Sequence, residues 1–205
     1  VIRGYTEFLQ RYVPSGRVTE AMLMEKLNTM HEQEERLLRF SETMTTVQNI
    51  EKREPSGVWH SSGQVIRQLA AVVCGIGQNT ELEIALEADL PEQELFLDLE
   101  LLIEVFENLL SNAMRYAVRS IQAKAVLNGR ELTVFVKDDG PGFSEKALRM
   151  GMDVYFSEEE NSREHFGIGL SICRMLCESH GGSLSLQNSV EQGAIAAASL
   201  VTGVR

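Results

Sequence analysis

Glu104-Val-Phe-Glu107-Asn108-Leu-Leu-Ser-Asn112-Ala-Met-Arg115-Tyr116 is the stretch on which the reading of this chain turns. Its apolar residues recur at helical spacing, so it is expected to form a buried helix, spanning Leu99 to Ala117. Residues four apart on a helix share a face, which puts Glu104, Asn108 and Asn112 in one polar stripe on an otherwise apolar surface. Buried polar side chains need partners. An Asn oxygen is a hard donor suited to Mg²⁺, an ion that commonly sits beside substrate phosphates. Arg115, one turn further on, can meet phosphate oxygens. Taken alone, the same stripe also fits an amide ladder bonded to neighbouring loops.

Two further segments follow at nearly equal intervals. Asp138-Asp139-Gly140-Pro141-Gly142 begins 30 residues after Asn108 and directly follows the chain's best hairpin signal, two alternating runs around Asn128-Gly129. Its glycines permit a tight backbone and close approach of a flat ligand. A carboxylate at a strand end can accept from an exocyclic amine. Gly167-Ile168-Gly169-Leu170 lies 29 residues beyond Asp138 and opens a helix expected over 167–180. Free amides at a helix start favour anions. Each segment alone also reads as an ordinary turn or helix start; the order and spacing of the three make the case.

The remaining chain divides at Arg53-Glu54-Pro55-Ser56-Gly57, where proline and glycine end a helix. Before it, Ile2, Tyr5, Leu9 and Tyr12 mark one helix broken at Pro14. Leu23, Leu27, Met30, Leu37, Phe40, Met44, Val47 and Ile50 mark a second, Thr19 to Lys52, with a heptad-like stripe. Two such helices cannot bury their stripes alone, and pairing with a second copy as a four-helix bundle is the simplest remedy. After the break, strands are expected at Val58–His60, Glu81–Leu86, Glu94–Asp98, Ile121–Leu127, Glu131–Lys137, Ser183–Gln187 and Ala194–Val201, with a helix from Ser61 or Ser62 to Ile76. This is an α+β pattern, a two-layer sandwich with helices on one face of a mixed sheet, preceded by an α-helical hairpin. The domains are expected at 1–53 and 54–205.

Composition narrows the function classes. The chain is 43% hydrophobic and 24% charged, normal for a globular protein, and its formal net charge is −11. That charge and the absence of any Lys/Arg run argue against nucleic acid and anionic lipid as partners. A polyanionic ligand must then be held by backbone amides, a metal ion and single basic residues. No apolar run approaches the roughly 18–20 residues of a membrane span. Cys74, Cys173 and Cys177 form no metal-ligand pattern and read as reduced thiols of a cytosolic protein.

With these motifs in view, residues 55–205 resemble the GHKL (Bergerat-fold) ATP-binding superfamily, and within it bacterial sensor histidine kinases. "NLLSNAMRYA" (108–117) is similar to their N box, "DDGPGF" (138–143) to the G1 box, and "HFGIGLSICRML" (165–176) to the G2 box and its helix. "ESHGGSLSL" (178–186) resembles the turn and strand that follow. The opening "VIRGYTEFL" resembles the part of the first dimerisation helix that follows the phosphoacceptor motif.

The resemblance implies ATP and Mg²⁺ as ligands. Asp138 would bind the adenine amine, Asn108 and Asn112 the metal and phosphates, and Arg115 a phosphate, with Tyr116 lining the nucleotide. Gly140 and Gly142 would be the G1 glycines, Gly167 and Gly169, with Leu170 behind them, the G2 segment. Residues 143–166 would form an irregular lid carrying Arg163, and Tyr155-Phe156 would be a remnant of the phenylalanine box. Glu104 would position the phosphoacceptor or metal, or form a hydrogen bond within the helix. The resemblance further implies γ-phosphoryl transfer to a histidine, a homodimer formed through the hairpin, a response-regulator receiver as partner, and a cytoplasmic location with any membrane anchor in segments outside this sequence. None of His31, His60, His165 and His180 fits the phosphoacceptor register, which falls before Val1. Two alternatives stand beside this reading: a GHKL ATPase of another branch that uses Glu104 to activate water, and a non-catalytic module that binds nucleotide or dimerises. An anti-sigma serine kinase shares the fold but lacks the hairpin.

Overall fold

The structure is a computed structural model that describes residues 2–14, 19–34, 56–78, 80–152 and 169–205. The chain folds as two compact units, Val1–Lys52 and Arg53–Arg205. In the first, α1 spans Ile2–Tyr12 and α2 runs over residues 20–34. Thr19 caps α2, its hydroxyl accepting from the Met22 amide at 3.3 Å. Met22, Met24 and Leu27 are exposed on it. The rest of the expected second helix, and the linker through Pro55, lie outside the described residues.

The second unit is ordered β1 (Val58–Ser61), α3 (Ser62–Gly77), β2 (Glu83–Asp89), β3 (Glu94–Leu97), α4 (Leu99–Tyr116), β4 (Ser120–Asn128), β5 (Glu131–Asp138), α5 (Glu145–Met150), α6 (Gly169–Ser179), β6 (Ser183–Asn188), β7 (Ala194–Val201) and β8 (Gly203–Val204). Helix starts follow the sequence. Ser61 caps α3 by accepting from the Gln64 amide, and Asp98 caps α4 by accepting from the Leu101 amide at 3.0 Å. The second Asp98 oxygen accepts from the Ser56 hydroxyl, which ties the chain before β1 to this helix start. The hairpin turn takes the expected form, with Gly129 at φ 61°, a left-handed conformation that glycine adopts without a Cβ penalty.

The strands form two sheets where the sequence suggested one. Five of them run β2-β4-β5-β7-β6, with β2 parallel to β4 and the other pairs antiparallel. The other three, β1-β3-β8, make a small antiparallel sheet. Strand β8 went unread because two residues carry no periodicity. Strand β2 begins and ends later than expected, since its register is set by pairing Glu83–Asp89 with Ser120–Val126 rather than by its own alternation.

Helices α3, α4 and α6 pack on one face of the large sheet. Alternation along β5 sends Leu132, Val134, Val136 and Asp138 to that covered face. Opposite them on β7 stand Ala194, Ala196, Ala198 and Leu200, three of them small enough to let helices approach closely. Helix α4 contributes Leu101, Leu102, Val105, Phe106, Leu109, Leu110 and Ala113, all buried. Each fully buried large apolar side chain there is worth roughly 1.5–3 kcal/mol. This packing fixes α4 beside the end of β5.

The stretch after Phe143 is not wholly irregular. Residues Glu145–Met150 form the short helix α5, because Ser144 caps it by accepting from the Ala147 amide at 3.1 Å and acidic and basic residues sit at its first and last turns.

Candidate nucleotide-binding site

Sheet register separates the two adjacent aspartates. Asp138 pairs with Ile121, points to the helix-covered face and is buried at 4% exposure. Its Oδ1 accepts from the Gly140 amide at 2.8 Å and from the Ala194 amide at 3.2 Å. No hydrogen bond engages its Oδ2 among the described residues. One carboxylate oxygen is thus fixed by the fold while the other keeps its acceptor capacity.

Asp139 faces the other way and holds the α4–β4 connection. Its oxygens accept from the amides of Val118 at 2.7 Å, Arg119 at 3.1 Å and Ser120 at 3.1 Å. Donation by the Arg119 amide, helped by those of Val118 and Ser120 against a smaller opposing effect of desolvation, holds its carboxyl below the usual carboxylate range. A single peptide pair therefore carries one ligand-ready and one structural carboxylate.

The glycines around Asp138 are places where backbone meets backbone. A Cβ on Gly140 would strike the Tyr116 carbonyl oxygen and lie 2.9 Å from Asp138 Oδ1. Gly142 sits at φ 83°. Sequence reading missed Gly193, at φ 95°, where a Cβ would collide with the Asp138 carbonyl oxygen. It also missed Asn188 and Gln192. The Asn188 amide bonds both backbone atoms of Phe143, and Gln192 Nε2 donates to the Asp139 carbonyl at 3.1 Å. The only local signal was a polar turn ending in an isolated glycine.

Midway along α4, Asn108 Nδ2 donates to the Glu104 carbonyl at 2.9 Å, leaving Oδ1 directed elsewhere. A Cβ on Gly169 would lie 3.4 Å from that Oδ1, so the start of α6 abuts Asn108. Asn112 is half-buried and its side chain makes no hydrogen bond among the described residues. Arg115 has its Nε buried without a hydrogen-bond partner among the described residues, and its guanidinium carbon lies 5.7 Å from the centre of the Tyr116 ring. Glu104 and Leu170 are both half-buried. Eight residues of α4, about 12 Å of helix, thus run from α6 at Asn108 to the Asp138 loop at Tyr116. Arg163, Gly167, Tyr155, Phe156 and His165 lie outside the described residues.

This set meets the chemical needs of a magnesium nucleotide. Asn108 and Asn112 offer neutral oxygen donors one helical turn apart, Arg115 brings a buried N–H in want of an acceptor, and Gly140 opens a cradle that any side chain would fill.

Residues 97–202 match the family described as "Histidine kinase-, DNA gyrase B-, and HSP90-like ATPase". The chain belongs to that family. The matched stretch lies within the second unit and includes Asn108, Asp138 and Gly169. The chain is 32% identical over 138 residues to the adaptive-response sensory kinase SasA of Synechococcus sp. (strain CC9902), a match covering 65% of this chain and 35% of that protein. It is 28% identical over 120 residues to the sensor histidine kinase SpaK of Bacillus subtilis, covering 57% of this chain and 26% of that one. The chain thus spans about a third or less of the relatives it matches. Among solved structures, its fold is similar to full-length ShkA in complex with AMPPNP, with TM-score 0.69 and 19% identity, covering 92% of this chain and 40% of that one. It is similar also to the catalytic domain of the histidine kinase ThkA, with TM-score 0.61 and 20% identity, covering 71% and 97%. Among the described residues, no helix is long and apolar enough to cross a membrane.

Proposed function

We propose that this chain is the catalytic core of a two-component sensor histidine kinase, which binds Mg-ATP and passes its γ-phosphoryl group to a histidine outside this sequence. The observation that carries the reading is the Asp138 carboxylate, buried, with one oxygen fixed by two backbone amides and the other unengaged among the described residues, beside a glycine packed on the end of α4.

Each residue then has a physical task. Asp138 Oδ2 accepts from the adenine amine. Gly140 and Gly142 let the base approach backbone, and Tyr116 lines it. Arg115 gives its Nε–H, without a partner among the described residues, to a phosphate oxygen. Asn108 and Asn112 would hold Mg²⁺, which supplies charge neutralisation at the phosphates. The start of α6, at Gly169 and Leu170, offers amides to phosphate oxygens, and Gly167 is a candidate for the same role. Arg163 is a further candidate phosphate contact. Glu104, whose backbone carbonyl orients Asn108, would position the acceptor imidazole or the metal. Positioning and charge neutralisation are most of what phosphoryl transfer requires of a protein.

The domain assignment follows the same reading: residues 1–53 as the dimerisation hairpin and 54–205 as the ATP-binding domain. The exposed Met22, Met24 and Leu27 on α2 support pairing with a second copy. A response-regulator receiver domain would take the phosphoryl group, in the cytoplasm, with any membrane anchor in other parts of the parent protein.

The test is nucleotide binding by calorimetry in the presence of Mg²⁺. Asp138→Asn should weaken ATP by about tenfold or more, the loss expected for a hydrogen bond to a charged group, and should weaken GTP far less. Equal weakening of both would mean that Asp138 does not face the base.

A further inference from the structure

The loop that holds Asp138 is itself held from a distance of about fifty residues in sequence. Asn188, the last residue of β6, accepts from the Phe143 amide through Oδ1 at 2.7 Å and donates from Nδ2 to the Phe143 carbonyl at 2.9 Å. Both ends of one planar amide are matched to both polar atoms of one residue, a pairing that an aspartate cannot reproduce because it has no donor. The Asn188 amide also packs against Gly142, where an added Cβ would lie 2.8 Å from Oδ1.

The rest of the β6–β7 turn completes the grip. The Ser189 amide donates to the Gly193 carbonyl at 2.9 Å and closes the turn. Gln192 Nε2 donates to the Asp139 carbonyl, and the Ala194 amide donates to Asp138 Oδ1. The segment 138–143 is therefore fixed at its start, its second residue and its end by one hairpin. Within the segment, the described local hydrogen bond is that from the Gly140 amide to Asp138 Oδ1, which leaves the path of Gly142 and Phe143 to be set by the hairpin.

We propose that Asn188 is a positioning residue for base recognition: by clamping Phe143 it sets the path of the 138–143 loop, and so makes the Asp138 carboxylate selective for an adenine ring. The proposal rests on the assignment of Asp138 to the base. Asn188 itself touches no ligand. Its effect is on how much of the ordering of the loop is complete before nucleotide arrives, and loss of that preorganisation appears as weaker and less selective binding.

The experiment compares wild-type chain, Asn188→Ala, Asn188→Asp and Asp138→Asn, measuring Mg-ATP and Mg-GTP affinity by calorimetry and the melting temperature without ligand. Asn188→Ala should weaken ATP by about tenfold, the scale of one to two net hydrogen bonds, and leave GTP within about twofold, so that base preference narrows. Asn188→Asp keeps the side-chain shape but sets an acceptor against the Phe143 carbonyl. It should narrow the preference at least as much, and it carries the test should the alanine variant fail to fold. Unchanged ATP affinity in both variants, or parallel loss of ATP and GTP affinity, overturns the proposal. Narrowed preference in Asp138→Asn with none in the Asn188 variants sinks the positioning role alone. Equal binding of ATP and GTP by the wild type sinks the base assignment and this proposal with it.

Discussion

Replacing Gly193 by alanine should cost the second unit several kcal/mol, although the residue is in a turn and touches no ligand. Its φ of 95° lies in a region that an L side chain enters at a cost of about 1–2 kcal/mol. A Cβ built there would overlap the Asp138 carbonyl oxygen and come within 2.7 Å of the Asp138 carbonyl carbon and 3.2 Å of Asp139 Cα. All three are backbone atoms, so no rotamer change relieves the clash and the hairpin must move away. That movement draws the Ala194 amide from Asp138 Oδ1, a hydrogen bond to a charged group worth about 1.5–3 kcal/mol. Together the losses are roughly 3–5 kcal/mol, or on the order of 10 °C in melting temperature for a domain of about 150 residues. The assay is thermal melting followed by circular dichroism, with Gly75→Ala as control. Gly75 lies in α3 with open space where its Cβ would go, so alanine there should be neutral or stabilising by up to about 1 kcal/mol. A Gly193→Ala melt within about 2 °C of wild type would refute the claim that the β6–β7 turn and the Asp138 loop are locked backbone to backbone.

Two further outcomes follow from the same contacts. Asp139 has its folded-state pKa held below the unfolded carboxylate value of about 3.9. A lowered pKa stabilises the fold fully above the unfolded value and loses that contribution as pH falls through the folded one. Asp139→Asn should therefore flatten the stability–pH profile below about pH 4, and an unaltered acid limb in denaturant titrations would show that the three amide bonds to Asp139 contribute nothing. Burial raises the thiol pKa of Cys177 to about 12, with Glu178 nearby adding to the shift, and burial pushes that of Cys173 higher still. At pH 8 a thiol-specific alkylating agent should modify exposed Cys74 rapidly and the other two only on unfolding, which mass spectrometry of the native protein checks.

Much of the fold is legible in the residues because their periodicities are local. Helix α4 announces itself through seven apolar residues at three–four spacing, and β4–β5 through alternation around Asn128-Gly129. The helix starts are written in Ser61, Asp98 and Ser144, although only the first was anticipated. Strand β8 and the late start of β2 were not legible, since their bounds come from partners rather than from their own pattern.

The sequence by itself determined the polar stripe of α4, the glycine-flanked aspartate after a hairpin and the glycine before α6, because spacing along a helix or strand fixes which side chains share a face. Only the tertiary structure decided which aspartate keeps a carboxylate oxygen unengaged among the described residues. That depends on the pairing of Asp138 with Ile121 and on an amide from Ala194, 56 residues away. It also decided that Asn188 and Gly193 meet the 138–143 loop. Their roles arise from backbone atoms brought together by the β5–β7–β6 order, and such contacts leave no periodic trace in a chain read one residue after another.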